Sequence, residues 1–210
     1  ATVPTGHVKS LIITDLLNIL SEKSNYTISE SDLIKGCIAG DRRMQEELYR
    51  RFAPKMYAVC LRYANNADDA QDLLQEGFIK VYRNLEKFRH EGSFEGWVRR
   101  VFVNTSIEQF RRKSKLYTIT EKEENVIEDA DITALDNLAE KDIIQLVQEL
   151  SPGYRTVFNM YVVEGYSHKE IGNILGISEG TSKSQLARAK AILQKKVLER
   201  LEETRKSFTR

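Results

Sequence analysis

Between residues 68 and 88 the run DDAQDLLQEGFIKVYRNLEKF places Leu74, Phe78, Val81, Leu85 and Phe88 at alternating spacings of four and three. At about 100° per residue this spacing gathers all five side chains on one helical stripe, where the two-residue period of a strand would scatter them. The same rhythm recurs along most of the chain, and prolines stand only at positions 4, 54 and 152. No alternating run argues for a strand, so an all-α protein is expected. With 210 residues, 41% of them hydrophobic, the chain has material for one large core or two small ones.

The rhythm breaks once. In TITEKEENVIEDADITALDNLAEKD (118–142) apolar periodicity disappears, and Glu121, Glu123, Glu124, Glu128, Asp129, Asp131, Asp136, Glu140 and Asp142 face only Lys122 and Lys141. Such a stretch cannot bury enough apolar surface to fold alone, which predicts a flexible acidic linker over 116–139. Two small helical domains, 29–115 and 140–205, are expected on either side of it. The flanks have the opposite sign: Arg99, Arg100, Arg111, Arg112, Lys113 and Lys115 precede the linker, and nine Lys or Arg against three Glu fill 183–210. A net charge of only +1 hides this alternation. Any one charged run is ordinarily a solvated helix face, but three blocks of alternating sign argue for a polyanionic partner.

Other classes lose ground. Cys37 and Cys60 form no C-x-x-C pair and have no histidine pair nearby, which argues against a disulfide framework or a zinc site and predicts two core thiols in a reducing cytoplasm. His7, His90 and His168 are scattered, and no phosphate-binding or dinucleotide fingerprint occurs, so neither an enzyme nor a cofactor is expected. LIITDLLNIL (11–20) is too short to span a bilayer and is interrupted by Asp15 and Asn18. It predicts a small amphipathic helix within an N-terminal extension, residues 1–28, of unknown role. The whole is expected to be a soluble cytoplasmic protein.

The densest local signal is SHKEIGNILGISEGTSKSQLARAKAIL (167–193). Ser167 and Glu170 form a capping box at a helix start, Ile171, Ile174 and Leu175 supply a buried face, and Gly176 supplies the left-handed residue that ends the helix. Ser178 caps a second helix at once. Two helices joined by so tight a turn must cross steeply, as in a helix-turn-helix. On the second helix Ser182, Leu186, Ala189 and Leu193 share the inward arc, while Thr181, Ser184, Gln185 and Arg188 share another that is expected to point outward. Gln and Arg have the donor geometry for adenine and guanine edges in a major groove, and Lys183 and Lys190 on the flank suit phosphates.

With LSPGYRTVFNMYVVEGYSHKEIGNILGIS (150–178) leading into GTSKSQLARAK, this region resembles the fourth conserved region of bacterial RNA polymerase sigma factors of the extracytoplasmic-function (ECF) type. Its Gln185 and Ala187 stand where many members of that family carry Arg and a bulky residue. The resemblance implies binding to the minus-thirty-five element of duplex promoter DNA through Thr181, Lys183, Ser184, Gln185, Arg188 and Lys190.

The first block fits the same family. Opposite the apolar stripe of 68–88 lie Asp72, Gln75, Glu76 and Ile79, an exposed isoleucine ringed by acid and amide groups, which offers apolar area for affinity and charge for registration. The pattern DAQDLLQEGFIKVYR is similar to the second conserved region of the family, and this implies that those four residues dock on core RNA polymerase. In FRHEGSFEGWVRRVFVNTSIEQFRRKSK (88–115) a polar loop with Phe94 is expected to lead into Trp97 and a helix striped by Arg100, Asn104 and Arg111, followed by Arg112. Aromatics beside arginines are suited to unstacked bases and the backbone that carries them. The resemblance implies capture of the melted minus-ten element there, with Asn104 contacting a base.

Taken whole, the resemblance over 29–200 implies a promoter-specificity subunit that binds core polymerase and both promoter elements and promotes DNA melting. It further implies control by an anti-sigma factor, and an acidic linker lying in the cleft or RNA exit path of the polymerase. A helix-turn-helix regulator that binds duplex DNA without polymerase is the alternative.

Overall fold

The computed structural model describes residues 28–116 and 140–208. The amphipathic stretch expected at 11–20 and nearly all of the linker expected at 116–139 lie outside the described residues. Among the described residues all regular structure is helical: α1 (Glu30–Ile38), α2 (Arg42–Tyr63), α3 (Ala67–Asn84), a 3-10 turn (Leu85–Lys87), α4 (Phe94–Leu116), α5 (Glu140–Gln148), α6 (Pro152–Phe158), a π turn (Asn159–Val163), α7 (His168–Leu175) and α8 (Glu179–Phe208). None of these helices is long and apolar enough to cross a membrane.

Short polar side chains set the helix starts by accepting from otherwise orphaned backbone N–H groups. Ser29 Oγ accepts from the Asp32 amide at 3.1 Å, Asn66 Oδ1 from that of Asp69 at 2.8 Å and Ser93 Oγ from that of Gly96 at 3.1 Å. Pro152 opens α6, where its missing N–H costs nothing.

The described chain separates into two compact units that divide within α2, between Leu48 and Tyr49. In the first, α1 turns Leu33, Ile34 and Cys37 inward. In the second, α3 and α4 pack face to face with the rest of α2: Val59 and Cys60, Leu74, Phe78 and Val81, and Val98, Phe102 and Ile107 are all buried. The five-residue stripe Leu74, Phe78, Val81, Leu85, Phe88 lies entirely inside, as its spacing predicts. Gly77 permits the close approach of the two helices, because a Cβ there would lie 2.2 Å from the Phe102 ring. Cys37 and Cys60 are buried free thiols, and burial pushes them up to about 11 and about 12.

Within the same unit α5 to α8 build a further cluster from Leu146, Val147 and Leu150, from Val157, Phe158 and Met160, from Ile171, and from Leu186, Ala189, Leu193 and Val197. The four residues assigned to the inward arc of the last helix, Ser182, Leu186, Ala189 and Leu193, are all buried. Ile174 and Leu175, expected on the buried face of α7, are only half-buried beside the fully buried Ile171.

Candidate nucleic-acid interface

The helix-turn-helix forms as its sequence dictates. Ser167 Oγ accepts from the Glu170 amide while the Glu170 carboxylate accepts from the Ser167 amide at 2.8 Å, closing both halves of the box. The Ser167 hydroxyl also donates to that carboxylate at 2.7 Å, and this bond, with the one from the Ser167 amide, holds the Glu170 carboxyl below its usual range. Gly176 ends α7 at φ 74°, a conformation that costs a side chain 1–2 kcal/mol or so. The amides of Gly176 and Ile177 both donate to the carbonyl of Gly172. Ser178 Oγ then accepts from the Thr181 amide at 2.9 Å and starts α8.

On α8, Lys183 is exposed and bridged to Glu179 at 2.7 Å, one turn back. Thr181, Ser184, Gln185, Arg188 and Lys190 are half-buried. The supposedly outward arc is therefore partly engaged within the domain. The Ser184 hydroxyl donates to the Thr181 carbonyl at 3.0 Å, and Arg188 Nη1 donates to the Tyr154 hydroxyl of α6 at 3.4 Å. A groove of about 640 Å³ runs along this side of α8, with Lys183, Ser184, Ala187 and Lys190 on one wall and Tyr161 and His168 on the other.

His168, in the first turn of α7, is half-buried. Its ring stacks on Tyr161 with centroids 4.3 Å apart, and its Nδ1 lies 2.9 Å from the buried Ser182 hydroxyl. Burial, helped by Lys183 and Lys190, lowers its basicity. The contact ties the start of α7 to the inward face of α8.

On α3, Asp72, Gln75 and Ile79 are exposed, Ile79 by 49%, and lie together on the face opposite the core stripe. Glu76 differs from them, being half-buried and bridged to Lys80 at 3.2 Å and to Arg112 at 2.9 Å. Burial alone would raise its carboxyl, but the bonds from Lys80 and Arg112 more than offset this and hold it low. Arg112, assigned from sequence to DNA, is thus joined to a residue assigned to the polymerase.

Along α4, Arg100, Asn104 and Arg111 are exposed on one stripe. Phe94 requires correction. It is not a loop residue available to a base but the first residue of α4, 0% exposed, and it packs on Phe52, Phe88 and Trp97 at 5.5, 5.1 and 5.8 Å. Ser93 is the signal that locates it, since a Ser that caps a helix makes its successor the first helical residue. Trp97 is half-buried, stacked on Phe94 and tilted against Phe88.

Sequence reasoning missed a polar seam between the α2–α4 bundle and the α6–α7 segment. Arg155 of α6, 2% exposed, donates to Asn65 Oδ1 and to the Gln148 carbonyl. Asn159 Nδ2 donates to the Arg62 carbonyl at 2.7 Å. Arg99 Nη2 donates to Glu164 at 2.8 Å, and Arg62 Nη2 stands 3.9 Å from the same carboxylate. Beside this pair Arg100 and Asn104 line a concavity of about 530 Å³ whose opposite wall is Glu164, Gly165, Tyr166 and Glu170.

Residues 48–116 match the sigma-70 region 2 family, and residues 140–193 match the sigma-70 region 4 family. The chain is 31% identical over 172 residues to the ECF RNA polymerase sigma factor SigE of Mycolicibacterium smegmatis, an alignment covering 77% of this chain and 65% of that protein. It is 30% identical over 165 residues to the ECF RNA polymerase sigma factor SigM of Mycobacterium tuberculosis, covering 79% and 83% respectively. Among solved structures it is similar to the sigma factor RpoE in its co-crystal structure with the anti-sigma factor NepR from Bartonella quintana, with a TM-score of 0.43 and 21% identity over 73% of this chain and 96% of that one. A helix-turn-helix, a second helical bundle and these family matches lead to one assignment: the chain belongs to the ECF RNA polymerase sigma factors.

Proposed function

We propose that this promoter-specificity subunit divides its work between residues 29–115, which hold core polymerase and the melted minus-ten element, and residues 140–205, which read the minus-thirty-five element as closed duplex. Residues 116–139 tether the two, and residues 1–28 are an extension outside this scheme. The protein works in the cytoplasm by binding alone, and an anti-sigma factor is its expected antagonist. In this reading Asp72, Gln75, Glu76 and Ile79 meet the polymerase. Arg100, Asn104 and Arg111 track the opened strand, with Arg112 beside them and Trp97 as the aromatic at their edge. On α8, Lys183 and Lys190 hold phosphates while Gln185 and Arg188 reach base edges, with Thr181 and Ser184 between them.

The observation that carries the proposal is the coexistence, in one chain, of a capped helix-turn-helix and an exposed apolar spot set among acid and amide groups on α3. A regulator acting on duplex alone has no use for the second surface. Electrophoretic shift of a genomic fragment pool with the chain alone, core polymerase alone and the two together tests it. Sequence-specific complexes are expected only with both, and tight specific binding by the chain alone would replace this reading with that of an independent regulator.

A further inference from the structure

The groove beside α8 has two unlike walls. Lys183, Ser184 and Lys190 stand on one, and the other is the aromatic pair Tyr161 and His168, contributed by the π turn and the start of α7. Lys183 and Lys190 are seven residues apart, about 10.5 Å along the axis at 1.5 Å per residue, which gives the groove the length for a stretch of nucleic-acid backbone. Ala187 between them offers a single methyl group and fills little of the space.

Two contacts seat the His168 ring in its wall. It lies nearly parallel to Tyr161, at an interplanar angle of 18°, and its Nδ1 meets the hydroxyl of Ser182, a residue 0% exposed. Among the described residues its Nε2 has no hydrogen-bond partner, and that atom stays open to solvent. A hydroxyl both donates and accepts, so Ser182 can donate to Nδ1 of the neutral ring and accept from the N–H of the protonated one in the same place. The ring can therefore change charge without leaving its seat, and Nε2 donates in both states.

The charged groups facing the ring are Lys183, Lys190 and Glu179 of α8, with Tyr161 stacked from the π turn; its own helix adds Lys169 and Glu170, both exposed. Burial first, and then the two lysines, hold the imidazole below its ordinary 6.5, with Glu179 opposing them. In the free chain the ring is neutral around neutral pH. A phosphate set between the two walls gives it a counter-charge and favours the protonated form.

We infer that His168 is a further phosphate-binding residue of the helix-turn-helix: seated by Tyr161 and Ser182, it grips the duplex backbone from the α7 side while Lys183 and Lys190 grip it from α8. The inference rests on the reading of α8 as a DNA-binding helix. Its consequence is proton uptake: solvent supplies one proton to Nδ1 as the backbone enters, so affinity for duplex rises as pH falls toward the value at which the free ring titrates.

The test follows fluorescence anisotropy of holoenzyme, assembled from core polymerase and the full chain, on a promoter fragment recovered from the genomic pool, between about pH 8 and about pH 6. The parent should bind at least about threefold more tightly at the acid end, within the limit of about tenfold per pH unit that one proton allows. His168→Asn, which can still accept from Ser182 but never charges, should lack that gain. His168→Arg, charged throughout, should bind at the alkaline end as tightly as the parent does at the acid end. In the parent the slope of log affinity against log salt should steepen by roughly 0.9 toward acid pH, the share of one phosphate contact. His7 and His90 are common to all three proteins and cancel. A ring that merely packs α7 on α8 would move none of these readouts.

The same series is run on the full chain alone with a random-sequence duplex at low salt, because every duplex carries phosphates. An acid gain that His168→Asn shares with the parent, or a His168→Arg holoenzyme no tighter than the parent at the alkaline end, overturns the inference and leaves the promoter reading standing. An acid gain on random duplex that His168→Asn lacks, with no holoenzyme binding any fragment specifically, overturns the promoter reading while the His168 contact stands.

Discussion

Arg112 near the end of α4 donates through Nη2 to both carboxylate oxygens of Glu76 on α3, at 2.9 and 3.1 Å. One side chain assigned to the opened strand thus neutralises one assigned to the polymerase. Both are partly solvated, so the bridge itself is worth less than about 1 kcal/mol to folding. Replacing Asp72 and Glu76 together by Ala is expected to weaken association with core polymerase by about tenfold or more, ~1.4 kcal/mol, while leaving the thermal unfolding midpoint nearly unchanged. Fluorescence anisotropy against core and a melting curve check the two halves. A large drop in the midpoint would return these carboxylates to a structural role.

The approach of α3 to α4 makes a second prediction. Gly77→Ala places a methyl group 2.2 Å from the Phe102 ring, and Phe102 is itself locked edge-on to Phe78 at 5.2 Å. Overpacking of this kind costs about 1–3 kcal/mol, more than the gain in helix propensity that Ala brings. Urea unfolding measures it. A neutral result would mean that the two helices separate more easily than their packing implies.

On α8 two neighbouring cations should behave differently. Lys183 is exposed and, among the described residues, bridged to Glu179 across one helical turn, so Lys183→Ala is expected to weaken holoenzyme binding on every promoter and to lessen its salt dependence. Arg188 is half-buried beside Tyr154, and Arg188→Ala is expected to cost about 1–3 kcal/mol at one upstream base pair and to relax preference there. Binding to a promoter library at several salt concentrations separates the two. Equal losses on all sequences for both would mean that α8 does not read bases.

Glu164 gives a pH signature. Burial raises its carboxyl above the ordinary 4.5 despite the opposing pull of Arg99 and Arg62, so the folded chain binds this proton more tightly than the unfolded chain does. Its contribution is complete below the ordinary value and is lost as pH rises through the shifted one. Asp69, Glu76 and Glu149 are shifted downward and contribute with the opposite sign, so wild type must be compared with Glu164→Gln. The stability of wild type relative to that variant should fall with rising pH, no more steeply than about 1.4 kcal/mol per pH unit. Denaturant titrations at a series of pH values test the slope, and a relative stability that rises instead would contradict the assignment.

What the sequence made legible was whatever is local. The stripe Leu74 to Phe88, the box Ser167/Glu170, the turn at Gly176 and the inward arc of α8 each depend on residues within a few turns of one another, and periodicity or capping chemistry reports them directly. Asp72, Gln75, Ile79, Arg100, Asn104 and Arg111 are exposed as expected for the same reason. The failures are of two kinds. Phe94 lies one structural step from its expected place, because its polar neighbours suggest a loop while Ser93 caps α4. The seam was invisible because its partners are remote: Arg155 and Asn65 stand 90 residues apart, Asn159 and Arg62 97. No pattern along one helix announces a bond to another. The π turn at Asn159–Val163 was likewise beyond reach, although it is what carries the chain from Asn159 to Glu164.

The central claim is that this chain confers promoter-specific initiation on core polymerase, and run-off transcription tests it most directly. Purified chain, bacterial core polymerase and a fragment pool from the source genome should yield discrete transcripts that neither protein gives alone, and those transcripts should vanish with Asp72→Ala/Glu76→Ala. A chain that binds core yet never directs a discrete start on any template would contradict the account.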